Sequence, residues 1–157
     1  MNYSDLALGA SNLLLGTAVG AGVNQSIFVM PKWFTSPPQS IAKAQAEAPF
    51  KSFWIPLQAA SALALSGAFA LNRRNAERRK LLSLALGFYV GTWASTAAYF
   101  APEIIRLSRA GDEMAASDAA RRAKWWQRLT WARHLALGAA WALTAAALAR
   151  KERRFTV

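Results

Sequence analysis

The chain has 157 residues, a formal net charge of +11, 54% hydrophobic residues, seven Trp, one His and no Cys. Its length fits one domain. The lack of Cys excludes disulfides, iron–sulfur clusters and thiolate metal sites, and a single His excludes a three-histidine zinc site or bis-histidine haem within one chain. No cofactor motif is present, so we expect neither a metal nor a cofactor.

Charged residues occur in short blocks that separate four long apolar segments. These segments cover residues 6–30, 52–71, 81–102 and 125–149. Each one is long enough to cross a hydrocarbon core of about 30 Å, which takes roughly 20 helical residues. The first three contain no Asp, Glu, Lys or Arg, whereas the fourth contains Arg128, Arg133 and His134. We therefore predict an all-α fold, an integral membrane four-helix bundle that forms a single transmembrane domain over residues 1–157.

The basic residues flank these segments rather than forming a separate patch. A charge of +11 in a soluble domain would suggest nucleic-acid binding through counterion release. Next to membrane spans, anionic headgroups and the positive-inside rule already account for it. The expected partner is the lipid bilayer, and nucleic acid is not expected. The N-terminal MNYSDLALG lacks a basic region, and the following apolar run is too long for a cleaved signal peptide, so the first helix should be retained.

Orientation follows from the basic residues of the connecting segments. Residues 73–80 and 150–154 together hold nine basic and two acidic residues. Residues 31–51 and 103–124 hold eight basic and five acidic residues over a greater length. The higher density of positive charge in the first pair predicts that both termini are cytoplasmic, in the cell (inner) membrane.

The first apolar segment carries a stripe of small and amide residues. Gly16 and Gly20 form a small-xxx-small step, with Asn12 and Asn24 four residues to either side. On a helix these positions share one face, which lets another helix approach closely. The stripe indicates either packing within the chain or a contact with a second copy or a membrane-complex partner through Gly16 and Gly20. Asn24 stands out, because a buried amide needs a partner.

The second and third segments carry further polar residues. Trp54 and Gln58 are typical of an interfacial anchor and an interhelical hydrogen bond, or alternatively of pocket walls. Along the third segment and the first residues after it, a polar stripe has successive spacings of four, three, four and three residues. It consists of Thr92, Thr96, Tyr99, Glu103 and Arg106. At 3.6 residues per turn the stripe occupies one face, which predicts that it faces the bundle interior or a wet cavity rather than lipid.

The fourth segment begins with WWQRLTWARH, residues 125–134. Trp126, Thr130 and Arg133 fall on one face, while Arg128 lies on the opposite side and can extend its guanidinium to the headgroups. Arg133 lies about 12 Å along the helix from the start of this stretch, too deep for that. It is therefore predicted to point inward and to pair with Glu103.

Seven polar side chains from the four segments fall at one depth. They are Asn24, Gln58, Tyr99, Glu103, Thr130, Arg133 and His134. This placement predicts a polar-lined cavity that opens toward the outer leaflet. The alternative is a structural ion pair between Glu103 and Arg133 that sets helix register without chemistry. His134 fits either a catalytic group or a hydrogen-bonded structural histidine.

Three stretches, FVMPKWFTSPPQSIAKAQ, PEIIRL and WQRLTWAR, together with the helix order, resemble a family of small membrane proteins. Its best-known members are the fungal anthrone oxygenases, and the resemblance spans nearly the whole chain. In that family the third helix ends in Pro, with Asn two residues later and Leu five residues later. The fourth begins Trp-x-x-Leu-Asn-x-x-Arg. Five positions match these patterns, namely Pro102, Leu107, Trp126, Leu129 and Arg133. Both Asn positions differ, since Ile104 and Thr130 stand there.

The resemblance implies oxidation of a lipophilic polycyclic phenol by O₂ without metal or flavin. Such a reaction needs a base, a cation for the developing phenolate and an apolar pocket. The candidate catalytic residues are Glu103, Arg133, His134 and Tyr99. The candidate substrate-binding residues are Asn24, Gln58, Trp93, Trp126 and Thr130. The alternative function is a non-enzymatic binder of a lipophilic ligand or a small subunit of a membrane assembly; a transporter fits less well, because no inverted repeat is evident.

Overall fold

The computed structural model describes residues 2–47, 51–110 and 114–150, and within these ranges it contains helices and no strands. The helices are α1 (Tyr3–Trp33), α2 (Gln39–Glu47), α3 (Lys51–Asn72), α4 (Ala76–Arg109) and α5 (Ala116–Ala149). All except α2 are long and apolar enough to cross a membrane. The prediction of an all-α integral membrane protein with four spans is confirmed. The basic residues counted for orientation at 151–154 lie outside the described residues.

The spanning helices are longer than the apolar segments that predicted them. Both α1 and α4 start behind an asparagine cap: the Asn2 side chain accepts a hydrogen bond from the Asp5 amide, and that of Asn75 accepts one from the Arg78 amide. At the other end, α5 begins nine residues before Trp125, at Ala116. This charged first part is helical because its small residues pack inward while its arginines face outward.

The four spanning helices form a closed ring. Helix α1 packs against α3 and α5, and α4 completes the ring by packing against the same two helices. Few residues in the most apolar stretch of each span are buried inside the protein. The buried share is 28% in α1, 17% in α3, 22% in α4 and 28% in α5. Leucines such as Leu13, Leu63 and Leu135 are more than two-thirds exposed, at 71%, 76% and 75%. An outer surface of this kind is suited to lipid rather than to water.

The short helix α2 covers one end of the ring, which we call the loop end. Ile41 of α2 is fully buried and belongs to an apolar cluster with Met30, Trp33, Leu107 and Trp126. This cluster joins α1, α4 and α5 through α2. The apolar sequence pattern did not predict α2 as an element, because it is short and lies between charged and proline-rich residues.

The opposite end, which holds the N-terminus and the end of α5, is joined by one buried arginine. The Arg78 guanidinium lies 2.8 Å from Asp5 Oδ1 and donates to Asn72 Oδ1 at 3.0 Å. Its Nε and Nη2 both donate to the Arg150 carbonyl, at 2.9 and 2.6 Å. Four helices are therefore held together at this end, and the guanidinium is only 2% exposed.

Two π-helical turns interrupt the spanning helices. One covers Gln25–Val29 in α1 and the other covers Thr96–Phe100 in α4. A π turn accommodates one extra residue, so side chains beyond it are rotated relative to a continuous 3.6-residue period. The polar stripe predicted for the third segment crosses the second of these turns. It is therefore split between two faces of α4.

Candidate functional site

A cavity of about 290 Å³ lies between α1, α3, α4 and α5, near the two π turns. Its walls are mainly apolar, and every spanning helix contributes an aromatic side chain: Trp33, Trp54, Trp93, Phe100 and Trp126. Its polar lining consists of Gln25, Gln58, Thr92, Thr96, Arg133 and His134. The geometry is that of a small-molecule site, since such sites are mostly apolar with a few polar groups.

Arg133 supplies the cation of this cavity. Its Nη1 donates to Thr96 Oγ1 at 3.3 Å, and its Cζ lies 4.5 Å from the centre of the Phe100 ring. Among the described residues, no carboxylate lies within 4.0 Å of its guanidinium. The predicted ion pair between Arg133 and Glu103 is therefore wrong.

Glu103 pairs instead with Arg122, on the outer side of α4 and α5. Arg122 Nε lies 2.6 Å from Glu103 Oε1, and Nη2 lies 3.0 Å from Oε2, so the contact is bidentate. The π turn explains the error, because it rotates Glu103 away from the face that carries Thr92 and Thr96. Glu103 does not line the cavity, which removes it as a base for a reaction there.

His134 is held in the cavity wall by α1. Its Nε2 lies 2.7 Å from Ser26 Oγ, and its ring packs against Gly22. A Cβ added at Gly22 would lie 2.7 Å from His134 Cε1, so only glycine lets the imidazole approach this closely. Both predicted roles of His134 fit this position, as it has a hydrogen bond with Ser26 and also lines the cavity.

The sequence missed Ser26 and Gly22 as the partners of His134. Their spacing of four residues, continued by the buried Met30, was the available signal. The sequence predicted a close helix approach at Gly16 and Gly20 instead. Gly16 does make a close approach, but to the Trp141 indole of the same chain, with 3.0 Å between an added Cβ and Nε1. Nothing lies within 4 Å of an added Cβ at Gly20.

The predicted substrate-binding residues divide into two groups. Gln58, Trp93 and Trp126 line the cavity, although Gln58 Oε1 already accepts a hydrogen bond from Tyr89 at 3.0 Å. Asn24 and Thr130 do not line it. Asn24 is exposed on the outer face of α1, and Thr130 is fully buried, with its hydroxyl donated to the Trp126 carbonyl.

Tyr99, predicted as catalytic, also lies away from the cavity. It lines two recesses on the outer side of α4 and α5, because it stands inside the π turn and faces away from Thr96. The cavity therefore contains two of the four predicted catalytic residues, Arg133 and His134. Within the described ranges, no three His, Cys, Asp or Glu side chains are grouped as metal ligands would be.

Comparison with known proteins adds no assignment. No protein-family model, no curated protein and no solved structure matches the chain. The resemblance to the anthrone oxygenases thus remains a prediction from the sequence.

Proposed function

We propose that this protein binds a lipophilic aromatic molecule with an acidic hydroxyl group in the cavity. The observation that carries the proposal is Arg133, a cation in the cavity wall that has no carboxylate within ion-pair distance among the described residues. A charge inside a membrane bundle is costly unless it is paired or hydrated. A phenolate or enolate oxygen would supply the missing negative partner and accept the free N–H donors of the guanidinium.

The walls support an aromatic ligand in particular. Five aromatic side chains surround the cavity, and ring faces and edges pack favourably against another flat ring system. The volume of about 290 Å³ is close to the lower end of ligand sites, which span roughly 300–1,000 Å³. A compact ring system fits this space, with its hydroxyl directed to Arg133.

The second part of the proposal is oxidation of that ligand by O₂, as the resemblance to anthrone oxygenases implies. A methylene carbon between two aromatic rings would lose two hydrogens and gain one oxygen atom of O₂, while the other oxygen atom leaves as water. His134 is the base of this proposal, because it lines the cavity and Glu103 does not; its Nε2 would exchange the hydrogen bond with Ser26 for the proton of the ligand. Arg133 would stabilise the oxyanion that forms when the ligand is deprotonated.

A non-enzymatic ligand-binding role is the second candidate, and two positions favour it. The family's asparagines are replaced by Ile104, whose apolar side chain lines the cavity, and by Thr130, whose hydroxyl is donated to the backbone. Without these two amide groups the cavity has fewer polar side chains than the family's pattern implies, which favours binding of a ligand over catalysis. A subunit role through the exposed Gly20 remains a less specific prediction.

The test uses the protein purified in a mild detergent, with 1,8-dihydroxyanthrone as the probe. Quenching of tryptophan fluorescence reports binding, while O₂ uptake and anthraquinone absorbance report oxidation above the protein-free rate. Binding that is lost in Arg133→Gln and retained in Arg128→Gln supports the site, since Arg128 is exposed on the same helix. Binding without oxidation supports the second candidate. Equal quenching in both variants contradicts the proposed site.

We also propose that both termini are cytoplasmic, in the inner membrane, from the positive-inside distribution of Lys and Arg. Because the chain has no Cys, single cysteines can be introduced for accessibility labelling. A cysteine at Arg74, between α3 and α4, should be protected from a membrane-impermeant maleimide in intact cells, whereas one at Thr35, between α1 and α2, should be labelled. The reverse pattern contradicts the orientation.

A further inference from the structure

A groove runs along the outer side of the bundle between α4 and α5. On α4 it is lined by small residues at every fourth position, namely Ser83, Gly87, Gly91 and Ser95. Nothing lies within 4 Å of a Cβ added at either glycine, so this small-residue groove is open rather than filled by the chain itself. It offers about 680 Å³ of space that is open to the outside of the bundle. Its small residues extend over about 18 Å of helix, slightly more than half of a hydrocarbon core of about 30 Å.

A second recess, which we call the cationic recess, lies at the loop end of the same two helices. It is lined by Tyr99, Glu103, Arg121, Arg122, Lys124, Trp125 and Arg128. Glu103 neutralises Arg122, and Arg121 has an exposed ion pair with Asp118 at 2.8 Å. Lys124 and Arg128 have no carboxylate within 4.0 Å among the described residues. Two cations are thus available beside the exposed indole of Trp125, a residue type that favours the headgroup region.

Tyr99 lines both the small-residue groove and the cationic recess, so the two adjoin at this residue. The cations stand at the end of the helices and the apolar groove leads from them toward the middle of the span. This order matches an anionic phospholipid in one leaflet, with its phosphate at the interface and its acyl chain in the hydrocarbon. Anionic headgroups are attracted to Lys and Arg next to membrane spans.

We propose that α4 and α5 form a binding site for an anionic phospholipid, next to the ligand cavity. Lys124 and Arg128 hold the phosphate, and the small-residue groove holds one acyl chain. Charge favours this occupant over a second copy of the protein, because a symmetric dimer through the groove would bring two cationic recesses together. The groove shares Thr92, Phe100 and Arg133 with the cavity, so the acyl chain would cover the lipid-facing side of these three residues.

The headgroup part is tested by native mass spectrometry of the full chain released from mild detergent. Phosphatidylglycerol and phosphatidylcholine with identical acyl chains are titrated separately. We expect one phosphatidylglycerol to be retained in preference to phosphatidylcholine. The double variant Lys124→Gln/Arg128→Gln should bind it roughly thirtyfold more weakly, as expected for the loss of two cations near a membrane surface. The control Arg73→Gln/Arg74→Gln removes two exposed cations at the opposite end and should change nothing.

Equal retention of the two lipids, or an unchanged affinity in Lys124→Gln/Arg128→Gln, overturns the proposal. Soluble glycerol phosphate serves as the competitor that lacks acyl chains. If it displaces the lipid completely at equal concentration, only a phosphate site remains and the lipid site is refuted.

The groove part is tested with Gly87→Leu/Gly91→Leu, which places two bulky side chains in the groove at positions where an added Cβ meets nothing within 4 Å. Retention of phosphatidylglycerol should fall at least tenfold, while the control Gly67→Leu on α3, where an added Cβ also meets nothing, should retain it. Size-exclusion elution and thermal unfolding establish that both variants fold. Unchanged lipid retention, or conversion of a wild-type dimer to a monomer without a change in lipid, overturns the assignment of the groove to an acyl chain.

Discussion

Two arginines in the spanning helices, Arg78 and Arg133, are placed in contrasting environments. At the termini, Arg78 is surrounded by Asp5, Asn72 and the Arg150 carbonyl, and its guanidinium makes several short contacts. In the cavity, Arg133 has one hydrogen bond to Thr96 and the face of Phe100. A saturated buried cation joins helices, whereas an unsaturated one beside a cavity leaves capacity for a ligand. The contrast separates a structural arginine from a candidate binding residue.

The largest effect should come from replacing Arg78, the arginine whose guanidinium has several hydrogen-bond and ion-pair partners. Arg78→Ala would leave the Asp5 carboxylate and the Arg150 carbonyl without their partner. Removal of one member of a buried ion pair typically costs about 3–5 kcal/mol. We expect a large drop in the midpoint of thermal unfolding in detergent. Light scattering or intrinsic fluorescence measures this midpoint. The exposed neighbour Arg79→Ala should change the midpoint little; similar drops in both would contradict a specific role for Arg78.

Replacement of Arg133 should have the opposite pattern, with little effect on stability and a large effect on ligand binding. Arg133→Gln removes a charge that has no carboxylate partner among the described residues, so the midpoint of unfolding should stay the same or rise. Affinity for 1,8-dihydroxyanthrone should fall roughly 10- to 100-fold, because hydrogen bonds to charged groups contribute about 1.5–3 kcal/mol. Fluorescence titration and thermal unfolding of the same preparation measure the two effects. A variant that unfolds as readily as Arg78→Ala would show that Arg133 is structural.

The position of His134 is tested through the glycine beside it. Gly22→Ala would place a methyl group 2.7 Å from His134 Cε1 and push the ring away from Ser26. Overpacking of this kind typically costs about 1–3 kcal/mol. The unfolding midpoint should fall and binding of the anthrone probe should weaken. Gly20→Ala serves as the control, since its Cβ meets nothing and alanine favours the helix; equal losses in both variants would argue against the His134 contact.

The smallest effect on the cavity should come from Glu103. Glu103→Gln breaks the partly exposed pair with Arg122, so stability should fall by about 1 kcal/mol. Binding of the anthrone probe should not change, because Glu103 does not line the cavity. Isothermal titration with wild type and variant compares the affinities directly. A loss of binding as large as that of Arg133→Gln would restore Glu103 to the site.

Much of the architecture followed from local sequence properties. The four spans were predicted from the separation of charged residues, because a helix that crosses lipid must be apolar over roughly 20 residues wherever it packs. The outward position of Arg128 and the cavity-lining positions of Trp126 and Arg133 followed from helical phase on α5, which has no π turn. Because α5 keeps a regular helical period of about 3.6 residues, the sequence alone predicted that Trp126 and Arg133 face the cavity.

Tertiary structure decided the pairing of the polar groups. The π turn at Thr96–Phe100 moved Glu103 and Tyr99 off the face of Thr92. Pro102 follows this turn by two residues, but a proline in a helix does not by itself specify a π turn. The contact of His134 with Ser26 joins residues that are 108 positions apart, so it depends on how α1 and α5 approach each other. Hydrophobicity acts on each residue separately and is visible in the sequence. Hydrogen bonds and ion pairs need two groups within a few ångströms of each other, which only the packed helices determine.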